Sequence, residues 1–293
     1  MSDFRRARVL IAIAASLFGC GQAQHPHSTL APGDPVLGTE SLGNAFSAST
    51  VLASVTAAAS NARAGNVLVI GPRAVCPDGM AHVSGYCMDR YEAYVVELDA
   101  EGHERAHSPY TPVDGLRVRA KVAAGVVPQG YISQVQAASA CQNAGKRLCS
   151  ASEFSLACRG PNRSASYPYG GTKRVRGKCN EGKGSAVQAV FGQGAPCDQS
   201  LMNDPRLNQW PGGLAKTGAF TGSVSPYGIY DLVGNLHEWG AEVAPNGHGF
   251  FRGGFYGDAE INGPGCNYET TAHAAVYHDY STGFRCCQDA AND

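Results

Sequence analysis

The apolar positions of this chain fall in short runs whose period changes several times between residues 74 and 288. Cys76-Pro77-Asp78-Gly79-Met80 is a turn, and Tyr86 to Tyr94 reads as a strand. Leu116 to Gly130 has no steady period. Helical spacing then begins. Ser133 with Gln136 three residues later is a capping-box pattern, and Val135, Ala138 and Cys141 follow as the expected buried face. Gly145 ends that helix. Ser150 with Glu153 repeats the device, Phe154, Ala157 and Cys158 mark the second face, and Gly160 stops it.

After Tyr167-Pro168-Tyr169-Gly170 the sequence reads as loop as far as Ser225, broken repeatedly by Gly, Pro, Asn and Asp. Tyr227 to Trp239 is a turn leading into a half-buried strand, and Phe250–Phe255 and Gly283–Cys287 are two further strands. Two short helices, several short strands and many loops give an α+β, loop-rich domain.

The first residues carry an address and not a fold. Arg5, Arg6 and Arg8 precede an apolar run, Val9 to Phe18, that suits a signal peptide and is short for a membrane span. It ends Leu17-Phe18-Gly19-Cys20, which resembles the bacterial lipoprotein signal with Cys20 as the lipidated residue, although Phe18 departs from the usual small or aliphatic residue. Ordinary cleavage near Ala23 is the alternative. Residues 21–73 are rich in Ala, Ser, Gly and Thr and nearly uncharged, and read as a flexible tether; Val51–Ala64 is at most a weak helix, and His25 and His27 are solvated polar residues. The expected organisation is therefore signal 1–20, tether 21–73, one domain 74–288 and a tail 289–293. The chain is expected to be exported and membrane-anchored by lipid at a periplasmic or outer face, or else periplasmic or secreted.

Charge removes one class of partner. Lys and Arg number 23 against 24 Asp and Glu, and no basic cluster interleaves with aromatics, so no nucleic acid is expected. Cysteine content adds a constraint. Beyond Cys20 lie Cys76, Cys87, Cys141, Cys149, Cys158, Cys179, Cys197, Cys266, Cys286 and Cys287, an even number that reads as a disulfide framework in an exported chain. No C-x-x-C spacing occurs, which argues against zinc-finger or thioredoxin-like use. Cys286 and Cys287 point opposite ways if extended and so serve different partners. Cys76 and Cys87 flank a short hairpin and are placed to close it; spacing leaves the remaining connectivity open.

The ordered motifs MDRYEAY, QAASACQNAGKRLCSASEFSLACRG, YPYG, YGIYDLVGNLHEW, FRGGF and GFRC together resemble the formylglycine-generating enzyme, or sulfatase-modifying factor, family. The resemblance spans Cys76 to Cys287 and implies a variant of the C-type lectin-like fold. It implies bridges Cys141–Cys286 and Cys158–Cys266, with Cys149–Cys287, Cys76–Cys87 and Cys179–Cys197 following by elimination. It implies calcium at Asp231 with the carbonyls of Leu232, Gly234 and Leu236, and at Asn180.

Enzymes of the family hold copper(I) with two thiolates after Arg-Gly-Gly, and aligned from Arg252 those positions are Asp258 and Gly263. Copper is therefore not expected. A metal on His273 and His278 is the alternative, and His237, beside Glu238, reads as a packed, hydrogen-bonded histidine. The resemblance leaves two functions: a non-catalytic module for a peptide, protein or glycan, with Trp210, Tyr256 and Tyr268 as contacts, or a family oxidoreductase with an altered metal site.

Overall fold

A computed structural model describes residues 75–196 and 198–291. The signal segment, Cys20, the 21–73 tether and Cys197 lie outside the described residues. Five strands come first: β1 (Met80–Val83), β2 (Tyr86–Asp89), β3 (Tyr94–Leu98), β4 (Glu104–Ala106) and β5 (Val118–Lys121). Helix α1 (Gln134–Asn143), β6 (Arg147–Leu148) and α2 (Ala151–Arg159) follow. Three short helices come next: α3 (Ala186–Phe191), α4 (Gln199–Met202) and α5 (Arg206–Gln209). The chain closes with β7 (His237–Val243), β8 (Gly249–Arg252), β9 (Glu269–Thr270), β10 (Thr282–Gly283) and β11 (Cys286–Asp289).

The strands form three small sheets, in the orders β1-β2-β11-β6, β10-β7-β8-β9 and β4-β3-β5. The last strand thus lies between β2 and β6, so the first and last parts of the described residues meet in one sheet. Asp289 belongs to β11, and Ala291 bridges to Val75. Backbone pairing therefore continues through residues 289 to 291, within the stretch read as tail.

Both capping boxes form: Ser133 Oγ accepts from Gln136 N, and Ser150 Oγ accepts from Glu153 N, each with the reciprocal side-chain bond. The buried face of α2 is the expected one, Phe154, Ala157 and Cys158. That of α1 is rotated. Gln134, Ala137, Ala140 and Cys141 are buried while Val135 is 54 % exposed. Gln134 takes the inward place because its Nε2 donates to the Gly240 and Glu242 carbonyls (both 2.7 Å), while its Oε1 is buried without a hydrogen-bond partner.

Other expectations shift for similar local reasons. The Tyr86–Tyr94 strand breaks after Asp89, where Arg90 turns to the Tyr227 and Gly228 carbonyls. Strand β8 stops at Arg252, since Gly253 and Gly254 adopt positive φ and a Cβ on Gly253 would meet the Leu232 carbonyl at 2.7 Å. The 170–225 stretch holds α3 to α5, of which α3 and α4 are capped by Ser185 and Asp198. Strand β5 lies in a region with no readable period. Among the described residues four disulfides form: Cys76–Cys87, Cys141–Cys286, Cys149–Cys287 and Cys158–Cys266. Among the described residues no helix is long and apolar enough to cross a membrane.

Candidate functional site

The segment after Arg252 is closed down on itself. Asp258 does not face an open site: its carboxylate accepts from the Glu260 and Ile261 amides (3.0 and 3.2 Å) and caps its own turn. Gly263 has φ +106°, and a Cβ there would stand 2.8 Å from the Asn267 carbonyl oxygen. No side chain fits that position without moving the backbone. Cys266, the one cysteine nearby, is bonded to Cys158. Thus neither thiol position carries a thiol, and the second is sterically shut.

The aromatic contacts expected at the surface are core residues. Tyr256 and Tyr268 are buried. The Tyr256 hydroxyl reaches Asn208 Oδ1 (3.3 Å), and the Tyr268 hydroxyl meets Asn262 Nδ2 (3.0 Å) and His237 Nε2 (3.2 Å). Only Trp210 of the three is half-exposed, tilted against Tyr256. This corrects the expectation for Tyr256 and Tyr268: each hydroxyl finds its partner inside, so the ring can be packed.

His237 is buried, as a packed histidine should be, between Phe251, Phe255 and Tyr268. Its Nδ1 lies 3.3 Å from Ser281 Oγ. Burial pushes its pKa down to about 3, with His273 adding repulsion, so the ring is neutral. His273 stacks on Tyr277 (3.9 Å between centroids), while His278 turns to Asn203 Oδ1 (2.8 Å) and Asp114 (3.3 Å), so the two rings have different neighbours.

Around the Asp231–Trp239 motif lies a buried ionic cluster. Arg285, fully enclosed, donates through Nε and Nη2 to the two oxygens of Glu238 (2.6 Å each), and also to the Asp89 and Tyr230 carbonyls. Asp89 is paired with Lys146 at 2.5 Å. Within this cluster two buried carboxylates remain without an ion-pair partner. Glu92 accepts from the Leu236 amide (3.0 Å) and from the Asn235 amide group. Asp231, itself at φ +59°, accepts from the Gly218 amide (2.7 Å). Burial raises both, Glu92 well above the carboxylate range with the Asp231 and Glu238 charges adding, and Asp231 to about 6.

Asn180 adjoins this cluster. Its Nδ2 donates to Gly213 O (2.9 Å) and Asn235 Oδ1 (2.8 Å), which fixes the amide orientation, and its Oδ1 is buried without a hydrogen-bond partner. Sequence reasoning placed Asp231 and Asn180 here. It missed Glu92 and Arg285, although both sit inside quoted motifs, because nothing local says that residues so far apart in the chain converge.

Cys179 is not in a bridge. It is a buried free thiol that receives a hydrogen bond from the Ser223 hydroxyl (3.2 Å), and burial pushes its pKa up to about 12. The Cys179–Cys197 pairing is corrected accordingly, Cys179 being sealed between Ser223 and the core.

A family model, the sulfatase-modifying factor enzyme 1-like domain, matches residues 53–290, beginning within the stretch read as tether. The inactive C-alpha-formylglycine-generating enzyme 2 of Bos taurus is 26 % identical over 195 residues, 64 % of this chain. The chain spans 58 % of that relative's length. Among solved structures, PvdO from Pseudomonas aeruginosa is 16 % identical, with 70 % of this chain and 80 % of that one covered at a TM-score of 0.44. Treponema denticola variable protein 1 is 14 % identical, with 75 % and 94 % covered and a TM-score of 0.43. With the match running through nearly all the described residues, the chain belongs to the sulfatase-modifying factor enzyme 1-like domain family.

Proposed function

We propose that this domain is a non-catalytic binding module that keeps the family frame without its copper chemistry. One observation carries the reading. Of the two positions where the resemblance calls for thiolates, Asp258 is spent on capping its own turn and Gly263 has no room for a side chain. Soft thiolates are what copper(I) requires, and neither a capping carboxylate nor a hydrogen atom replaces them. The bovine relative carries "inactive" in its name, which supports the same reading here.

Oxygen uptake with copper(I) and a cysteine-containing peptide tests it. Wild-type protein is expected to stay at the rate of a protein-free blank, and peptide-dependent uptake overturns the proposal. The Asp258→Cys/Gly263→Cys variant is expected to stay there too, since any Cβ introduced in place of the Gly263 hydrogen would strike the Asn267 carbonyl at a φ that disfavours it. Uptake by that variant alone would mean that the frame is open and only its thiols are lost.

The ligand we propose is a peptide, protein or glycan. Four disulfides fit an oxidising compartment outside the cytoplasm. Lipidation at Cys20 would tether the module there, and a Cys20→Ser variant that remains in the membrane fraction argues against it.

Calcium is part of the proposal, one ion held by Asp231 with the carbonyls of Leu232, Gly234 and Leu236, and a second at Asn180. What supports it is the mismatch at this site: the unpartnered Asn180 Oδ1 and the two buried carboxylates without a cation. Hard oxygen donors from loops suit calcium, whose charge would offset theirs. At calcium a hundredfold above Kd, the midpoint of thermal unfolding should rise by about 5–10 °C over the EDTA-treated protein. Asp231→Asn should lose most of that response. An unchanged midpoint with EDTA contradicts the calcium site.

A further inference from the structure

Ser152, Ser155 and Arg159 follow one another on α2 at spacings of three and four, so they share one face of the helix. Facing them are Arg252 at the end of β8, Asn267, and Glu269 at the start of β9. These six residues line a polar pocket of about 360 Å³, at the small end of ligand-binding cavities. It lies apart from the Asp231 cluster and uses none of its groups.

The pocket lining holds two guanidinium groups and one carboxylate, Glu269; a second carboxylate outside the lining, Glu242, also acts on Arg252 and accepts from the Ala151 amide (2.8 Å). Arg252, only 5 % exposed, lies over the Phe154 ring and pairs with Glu269, while Arg159 donates to the Asn267 side-chain oxygen. The Nε of Arg252 and the Nε of Arg159 are both buried and lack a hydrogen-bond partner. Burial lowers the Arg252 pKa; Glu269 works against that, Arg159 adds to it, and Glu242 again opposes it, so the second guanidinium is felt at Arg252 alongside two carboxylates. Holding like charges together with unmet donors is costly in the absence of an anion. Glu269 offsets one charge, but its side chain is 45 % exposed and free to yield its place.

We propose that this pocket binds a tetrahedral oxyanion, the phosphate or sulfate group of a small ligand, between Arg159 and Arg252. Four oxygens directed to different sides can serve both guanidinium groups and the Ser155 hydroxyl at once. A planar carboxylate, with two oxygens, satisfies one fork only. Ser152 forms the rim, its hydroxyl already 3.0 Å from that of Ser150. Arg252 is positioned by Phe154 and Cys266, whose carbonyl accepts from Nη2 at 3.4 Å, while Arg159 is held by the Asn267 side chain.

Isothermal titration of the full chain, bridges intact, tests this with inorganic phosphate, inorganic sulfate and O-phosphoserine at constant ionic strength. Acetate and chloride serve as controls. Saturable binding of at least one tetrahedral anion is expected, and the tighter of free ion and ester identifies the source of the group. Arg159→Gln should weaken it about tenfold or more, the loss of one charge-assisted donor. Glu269→Gln should tighten it, because the competing carboxylate is removed. That variant decides the matter if Arg159→Gln does not fold. No saturable binding, equal binding of acetate, or wild-type affinity in Arg159→Gln with no gain in Glu269→Gln overturns the proposal. The readout is binding, so failure here leaves the non-catalytic reading standing, and peptide oxidation would sink that reading without touching this one.

Discussion

Removing the Cys141–Cys286 and Cys149–Cys287 bridges together should destabilise the domain by about 6 kcal/mol, against a little under 3 kcal/mol for removing either pair alone. The excess over additivity comes from how the two loops nest. The bridges close loops of 145 and 138 residues. Their anchors lie eight residues apart at one end and one residue apart at the other. With either bridge intact, the other closes only a small ring in the unfolded chain. With both gone, the chain also regains the freedom of a larger ring, which the Cys158–Cys266 bridge inside both loops limits to about 37 residues (17 from Cys141 to Cys158 and 20 from Cys266 to Cys286). The paired strands make the same point in the folded state, since β11 sits between β2 and β6 with Cys286 opposite Leu148 and Cys287 opposite Met88. Double Cys→Ala variants of each pair, and of both, compared by urea unfolding, check this. Single-pair losses that sum to the combined loss would mean that the bridges constrain independent parts of the chain.

The second large effect is expected at Arg285. Replacing it by alanine leaves Glu238 as a fully buried carboxylate without its bidentate partner and removes the donors to the Asp89 and Tyr230 carbonyls. Breaking a buried pair from one side costs about 3–5 kcal/mol, largely for the charge left behind. Removing both charges in Arg285→Met/Glu238→Met should recover a good part of that loss, because the desolvated carboxylate is gone too. Recovery should be incomplete, since the two carbonyls still lose their donor. Urea midpoints of the two variants against wild type decide it. An Arg285→Ala protein within about 1 kcal/mol of wild type would show that Glu238 sheds its charge by taking a proton.

What was legible in the sequence was mainly what is local. The two capping boxes are written within three residues and form as written. The buried side of α2 follows from its spacing. On α1 the same reasoning missed by one position, because Gln134 found backbone acceptors on β7 that no periodicity can announce. Helices of four to six residues in the 170–225 stretch are too short to show a period, and they are held by single caps and by packing.

Convergence over distance was legible only through resemblance. Glu92 meets Asn235 across 143 residues, and Arg285 meets Glu238 across 47. No spacing rule connects either pair. The facing of Arg159 and Arg252 was also invisible, since each sits in a motif whose reading ended at its helix stop or its glycine pair. Tyr256 and Tyr268 were misplaced for a related reason. An aromatic with a hydroxyl suits a ligand groove or a satisfied interior equally, and only the positions of Asn208, Asn262 and His237 choose between them.

The most direct test of whether the frame has lost its chemistry is copper(I) titration of the native protein, its four bridges left oxidised, with binding read against a competing chelator. Among the described residues Cys179 is the one free thiol, and it is buried with a pKa pushed up to about 12. No tight two-thiolate site is therefore expected, and the chelator should keep the metal. Stoichiometric capture of copper(I) from the chelator by the native protein, retained in Cys179→Ser, would contradict the conclusion that Asp258 and Gly263 have replaced a working metal pair.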